Sequence, residues 1–120
     1  MTVKSFTISG AVISGDGYAG SVLGIPTANL NVTPVGLEFG VYAARVVLKN
    51  NTYDAAVCYG ALDAPKFEAH IFDFEGDILG ETLIVEIVEQ VSELITWQSH
   101  ERMRQKILHD LELVREVLKN

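Results

Sequence analysis

"GDGYAGSVLGIPTANL", residues 15–30, decides between two classes of fold. Its first six residues fit G-x-G-x-x-G, the turn that cradles a phosphate when a helix begins inside it and aims its N-terminus at the anion. That turn belongs to a doubly wound parallel sheet. Here the six residues run on into "SVLGIPTAN", with Gly24 and Pro26 where the helix would be. Glycine weakens a helix interior by about 1 kcal/mol and proline by about 3 kcal/mol. Two such breakers remove the helix, and with it the dinucleotide reading. A P-loop fails too, because no Gly-Lys-Ser/Thr follows. What remains is a glycine loop leading into an extended "IPTAN".

Outward from that loop, period-2 alternation dominates. In "VYAARVVL", Tyr42, Ala44, Val46 and Leu48 share one face while Arg45 takes the other, as in a half-buried strand. "KNN" at 49–51 supplies a hairpin turn, and "TYDAAVCYG" resumes as a second strand. "KFEAHIFDF" sets Phe67, Ala69, Ile71 and Asp73 against Glu68, His70, Phe72 and Phe74. "EGD" at 75–77 is another turn before "ETLIVEIVEQV", the longest strand candidate, and "FTISGAVIS" reads as a strand ahead of the glycine loop. From Ser99 the period turns helical. Met103, Ile107, Leu111, Val114 and Leu118 form a stripe that Leu108 and Val117 broaden, and Ser99 is the expected N-cap. Five or six strands and one amphipathic helix predict a mainly β fold. The expected form is a small antiparallel barrel with the helix on its outside or across one end.

The 120 residues carry no internal repeat or linker, so a single domain over 1–120 is expected. Hydrophobic residues at 48% and charged residues at 21% suit a packed globule rather than a disordered chain. A net charge of −7 argues against non-specific binding to nucleic acid or to an anionic membrane. Cys58 is the lone cysteine, which excludes an intrachain disulfide and a thiolate zinc cluster. The start "MTVKSFTISG" lacks the apolar core of a signal peptide, and no apolar run approaches the ~18 residues that span a bilayer. A soluble, cytoplasmic monomer is expected.

The loop itself offers specific chemistry. Gly15, Gly17 and Gly20 let backbone N–H groups approach phosphate oxygens closely. Pro26 fixes φ, and an extended path puts Thr27 and Asn29 on one side at i, i+2. A hydroxyl and an amide oxygen are hard ligands suited to Mg²⁺, which takes few protein ligands and completes its shell with phosphate and water. A hairpin whose Thr and Asn only satisfy turn backbone fits the same residues. None of His70, His100 and His109 stands at i, i+4 from another, so histidine ligation has little support.

"GSVLGIPTANL" closely resembles the signature of riboflavin kinases, whose G…LG-[FI]-PTAN segment carries Mg²⁺ and ATP phosphates. The likeness extends along the chain in the right order. "FGVYAARV" is similar to the family's GVYA strand, "YG" at 59–60 sits where its N-[IV]-G falls, "FEAHIFDFEGDILGE" resembles its VE-x-H run, and "SHERMRQKILHD" resembles its terminal helix. The resemblance implies a six-stranded Greek-key barrel with a C-terminal helix, and riboflavin and ATP as substrates. It assigns Thr27 and Asn29 to Mg²⁺, and Gly15, Gly17, Gly20, Gly24 and Pro26 to the nucleotide segment. Glu68 becomes the base for the ribityl 5′-hydroxyl. It also places Trp97 beside the isoalloxazine ring, where packing of the helix on the barrel is an equal role, and His70 as structural support.

The chain departs from the family at the flavin side. Cys58 replaces an Asn, Ala64-Pro65 replaces Pro-Thr, and Ser92 and Leu94 occupy charged positions of an R-x-E-x-x-F pattern. The adenylyltransferase domain of many bacterial members is not in this sequence, so FAD synthesis is not expected. The reading is an ATP-dependent riboflavin kinase. Its rivals are a non-catalytic flavin- or nucleotide-binding regulator, a β-barrel interaction module, and a kinase for a different alcohol.

Overall fold

The computed structural model describes residues 6–14, 24–34, 36–60 and 66–119. Six strands, β1 (Phe6–Ile13), β2 (Ala28–Leu30), β3 (Gly40–Leu48), β4 (Asn51–Tyr59), β5 (Phe67–Ile71) and β6 (Thr82–Ser92), precede one helix, α1 (His100–Leu118). They close a barrel in the order β1-β2-β5-β4-β3-β6, and every neighbouring pair is antiparallel. β3, β4 and β5 follow one another as adjacent strands, while β2 returns beside β5. This is the Greek-key arrangement. Closure leaves no sheet edge to pair with another chain.

Alternation sets the interior. Ile8 and Val12, Tyr42, Ala44, Val46 and Leu48, and Leu83, Val85 and Ile87 all point into one core. Phe67 and Ala69 enter it from β5. Tyr42 and Tyr59 are buried yet keep their hydroxyls satisfied, donating to Glu38 O at 2.6 Å and Pro34 O at 3.4 Å. The turn between β3 and β4 puts Lys49 and Asn50 at φ 49° and 69°, which suits a two-residue hairpin loop with the twist of its strands.

The helix lies on the outside of the barrel. Val114 and Leu118 pack on Ala43, Ala56 and Phe72, whose small or flat side chains admit a helix at close range. Ser99 caps it as expected: its Oγ accepts from Arg102 N at 3.2 Å. Two expectations shift. Leu108 is exposed rather than part of the packed stripe. β5 stops at Ile71: Phe72 keeps to the outer face of Glu68 and His70, under the helix with the Arg115 guanidinium 4.1 Å above its ring, but Asp73 turns to φ 57° and Phe74 packs against the interior core instead of following Phe72.

Candidate active site

Strand register lays a single row of outward-facing residues around the barrel wall. Asn29 pairs with Glu68, Glu68 with Cys58, Cys58 with Val41, and Val41 with Ser92. Registered neighbours in antiparallel sheets share a face, so the row presents Asn29, Glu68, Cys58 and Ser92 to the same side. Thr27, two residues before Asn29, joins them: its Oγ1 donates to Glu68 Oε2 at 3.1 Å. His70 Nδ1 lies 2.7 Å from Pro26 O, tying the PTAN segment to β5 from the other side of Glu68. This is the structural role foreseen for His70.

Two cavities flank this seam. One, of about 280 Å³, runs between the barrel wall and the helix, with Glu68 and Cys58 on one side and Leu94, Ile95, Met103 and Ile107 on the other. The second, of about 460 Å³, lies beyond Thr27 and is bordered by Ser14, Pro26, Asn29, Phe74 and Asp77. Among the described residues Thr27 alone borders both. The Thr27 hydroxyl is thereby hydrogen-bonded to a carboxylate that lines the helix-side cavity, while its own residue also borders the second.

The helix-side cavity holds a buried ion pair. Lys106 and Asp110, one turn apart with side chains 19% and 6% exposed, are joined by a short contact. Ser92 Oγ sits between them, accepting from Lys106 Nζ at 2.8 Å and donating to Asp110 Oδ1 at 2.8 Å. Burial pushes the nearby Cys58 thiol up to about 11, with Glu68 and Asp110 adding to the rise and Lys106 opposing it. Glu68 on the barrel wall and the Lys106–Asp110 pair on the helix thus place charge in a largely apolar slot.

The structure brings Glu68, Thr27, Asn29 and Pro26 together. Gly24 stands at the near end of that segment with φ 73°, a conformation suited to glycine. Gly15, Gly17 and Gly20 lie outside the described residues. Trp97 is 53% exposed and meets His100 edge-on at 5.8 Å, while Leu94 and Ile95 supply the apolar wall on that connection. Lys106 and Asp110 escaped the sequence reading. Their signal was an i, i+4 pair set between Met103, Ile107 and Leu111, on the face that packs rather than the face that is solvated.

Among the described residues no three His, Cys, Asp or Glu gather as a metal site. A cation here would rest on neutral oxygens. The Thr27 hydroxyl and Asn29 amide border the same cavity and fit the hard, sparse donor set of Mg²⁺.

A family model described as Flavokinase: Riboflavin kinase matches residues 2–118. Curated relatives include the Trifunctional protein RibF/MnmA of Mycoplasmoides gallisepticum, 30% identical over 92% of this chain and 18% of that protein. The Bifunctional riboflavin kinase/FMN adenylyltransferase of Haemophilus influenzae is 31% identical over 91% of this chain and 37% of its own. The RNA-binding riboflavin kinase RibR of Bacillus subtilis is 28% identical over 89% and 49%. The chain thus spans less than half the length of each of these relatives. Among solved structures, riboflavin kinase from Trypanosoma brucei superposes with a TM-score of 0.71 over 97% of this chain and 78% of that one, at 18% identity. A Streptococcus pneumoniae chain named macrolide-efflux protein superposes at 0.81 over 91% and 38%, at 28% identity.

Proposed function

The chain belongs to the riboflavin kinase family, and from that premise we propose that it transfers the γ-phosphoryl group of ATP to the ribityl 5′-hydroxyl of riboflavin, giving FMN and ADP. The observation that carries this reading is the 3.1 Å hydrogen bond from Thr27 to Glu68 at the seam between two cavities. A carboxylate there stands where an alcohol in the helix-side cavity meets a phosphate in the other.

Riboflavin takes the helix-side cavity, its ring against Leu94, Ile95 and Met103. The nucleotide takes the cavity bordered by Asn29 and Asp77. A primary alcohol is a poor nucleophile until a positioned base removes its proton. Glu68 accepts that proton as the alcohol oxygen bonds to the γ-phosphorus, and the bond to ADP breaks on the opposite side. Thr27 holds one carboxylate oxygen, so the base is oriented before substrate arrives. Thr27 and Asn29 would hold Mg²⁺, which when bound offsets charge on the transferring phosphoryl group. The apolar wall keeps water from competing as the acceptor.

Incubation with riboflavin, ATP and Mg²⁺, followed by chromatographic resolution of FMN, tests the reading. Wild type forms FMN, and Glu68→Gln lowers the rate by about 10²–10⁴ while nucleotide binding persists. Binding of MgATP without FMN formation by wild type would instead leave a non-catalytic relative.

A further inference from the structure

The Lys106–Asp110–Ser92 cluster is not used by the proposed phosphoryl transfer, yet Lys106 and Asp110 line the helix-side cavity and place two charges where apolar residues would pack at lower cost. An ion pair withdrawn from water is weak evidence of stability, since desolvation offsets most of its attraction. Resting on the proposed seating of riboflavin, we infer that Lys106 and Asp110 read the pyrimidinedione edge of the acceptor's ring and thereby set its specificity.

Three observations support this. The first is position. Ser92 lies three strand steps from Glu68 along the registered row, which is about 14 Å along the sheet. The phosphates lie beyond Thr27 on the other side of Glu68, so they do not reach the cluster. The ribityl chain, extended at about 1.5 Å per bond, covers roughly half the interval, and the ring spans the remainder. The second is valence. An ammonium has three N–H donors, and those of Lys106 toward Ser92 and Asp110 account for two. Among the described residues the third meets no acceptor, which leaves it for a ligand. The third is pattern. A donor beside a carboxylate matches a ring carbonyl beside a ring N–H, which the dimethylbenzene end lacks. That end goes to Leu94, Ile95 and Met103.

The test uses lumiflavin, the ring without the ribityl chain, and 3-methyllumiflavin, whose N3 cannot donate. Fluorescence quenching gives their affinities for the whole chain without ATP or turnover. Wild type prefers lumiflavin by about tenfold or more, as for a hydrogen bond to a charged group. Lys106→Met/Asp110→Leu removes both charges together, so neither is orphaned, and brings the preference close to one. A merely structural cluster would move the melting temperature but not this ratio. A wild-type preference near one overturns the inference whether or not the double variant folds, as does a preference that the folded double variant retains. If the double variant does not fold, Lys106→Gln must reduce the preference. FMN formation with no preference would remove this inference alone. A preference without FMN formation would remove the kinase reading alone.

Discussion

Cys58 stands one strand from Glu68 on the floor of the helix-side cavity, and its ionisation responds to how dry that floor is. Burial is the largest cause of its rise from the usual 9.0 to about 11, followed by the Glu68 and Asp110 carboxylates. The neutral thiol is the favoured form, so its contribution to stability is complete below pH 9 and is lost as pH climbs toward 11. At pH 8 the displacement lowers the thiolate fraction roughly hundredfold. Iodoacetamide should therefore modify Cys58 about a hundred times more slowly in the folded chain than after unfolding. Mass spectrometry of the intact protein reads this, and the rate should climb steeply up to about pH 11. Equal rates at pH 8 would mean that water reaches the cavity floor. Thr27 acts on the same scale: a single hydroxyl is bonded to the Glu68 carboxylate, and the residue borders both cavities.

The connection from β6 to α1 forms the apolar wall of the acceptor cavity, and Gly60 at the end of β4 sets its position. Gly60 has φ +123°, and a Cβ there would lie 2.7 Å from Phe39 Cγ and 2.8 Å from Leu94 Cδ1. Gly60→Ala should cost about 1–3 kcal/mol through strain and overpacking and lower the melting temperature by several degrees. Because Leu94 must move, the KM for riboflavin should rise more than the KM for MgATP. An unchanged melting temperature in a thermal scan would show that this connection yields freely. Strands with one wet face were legible in the sequence, as in β6, where Leu83, Val85 and Ile87 alternate with exposed Thr82, Ile84 and Glu86. The pattern blurs where the helix covers the outside. Val41, Ala43 and Ala56 are buried on the outer face, so β3 and β4 carry apolar residues on both sides. The Lys106–Asp110 pair was passed over for the opposite reason, despite its place within the apolar stripe. Such a pair ordinarily marks a solvated helix face, and only the packing of α1 on the barrel encloses it.

Across the whole molecule, the proposed reading gives each substrate its own cavity, and among the described residues the two linings share Thr27. The PTAN segment stood out in the sequence because its residues are contiguous. The lining of the helix-side cavity draws on the segment before β2, on β3, β4 and β5, on the β6–α1 connection and on α1, and these residues meet only when the barrel closes. Such a division predicts that each seat can be closed alone. Ile107→Trp adds bulk to a cavity of about 280 Å³ from the helix side and should raise the riboflavin KM at least tenfold, with MgADP binding retained by calorimetry. Ser14→Trp, at the border of the other cavity, should weaken MgADP while lumiflavin still binds. Both variants should lower FMN formation, since transfer needs both seats filled. If either substitution removes both ligands from a chain that still melts cooperatively, the two cavities act as one site. The seam at Thr27 would then be the floor of a single pocket rather than the boundary across which the phosphoryl group passes.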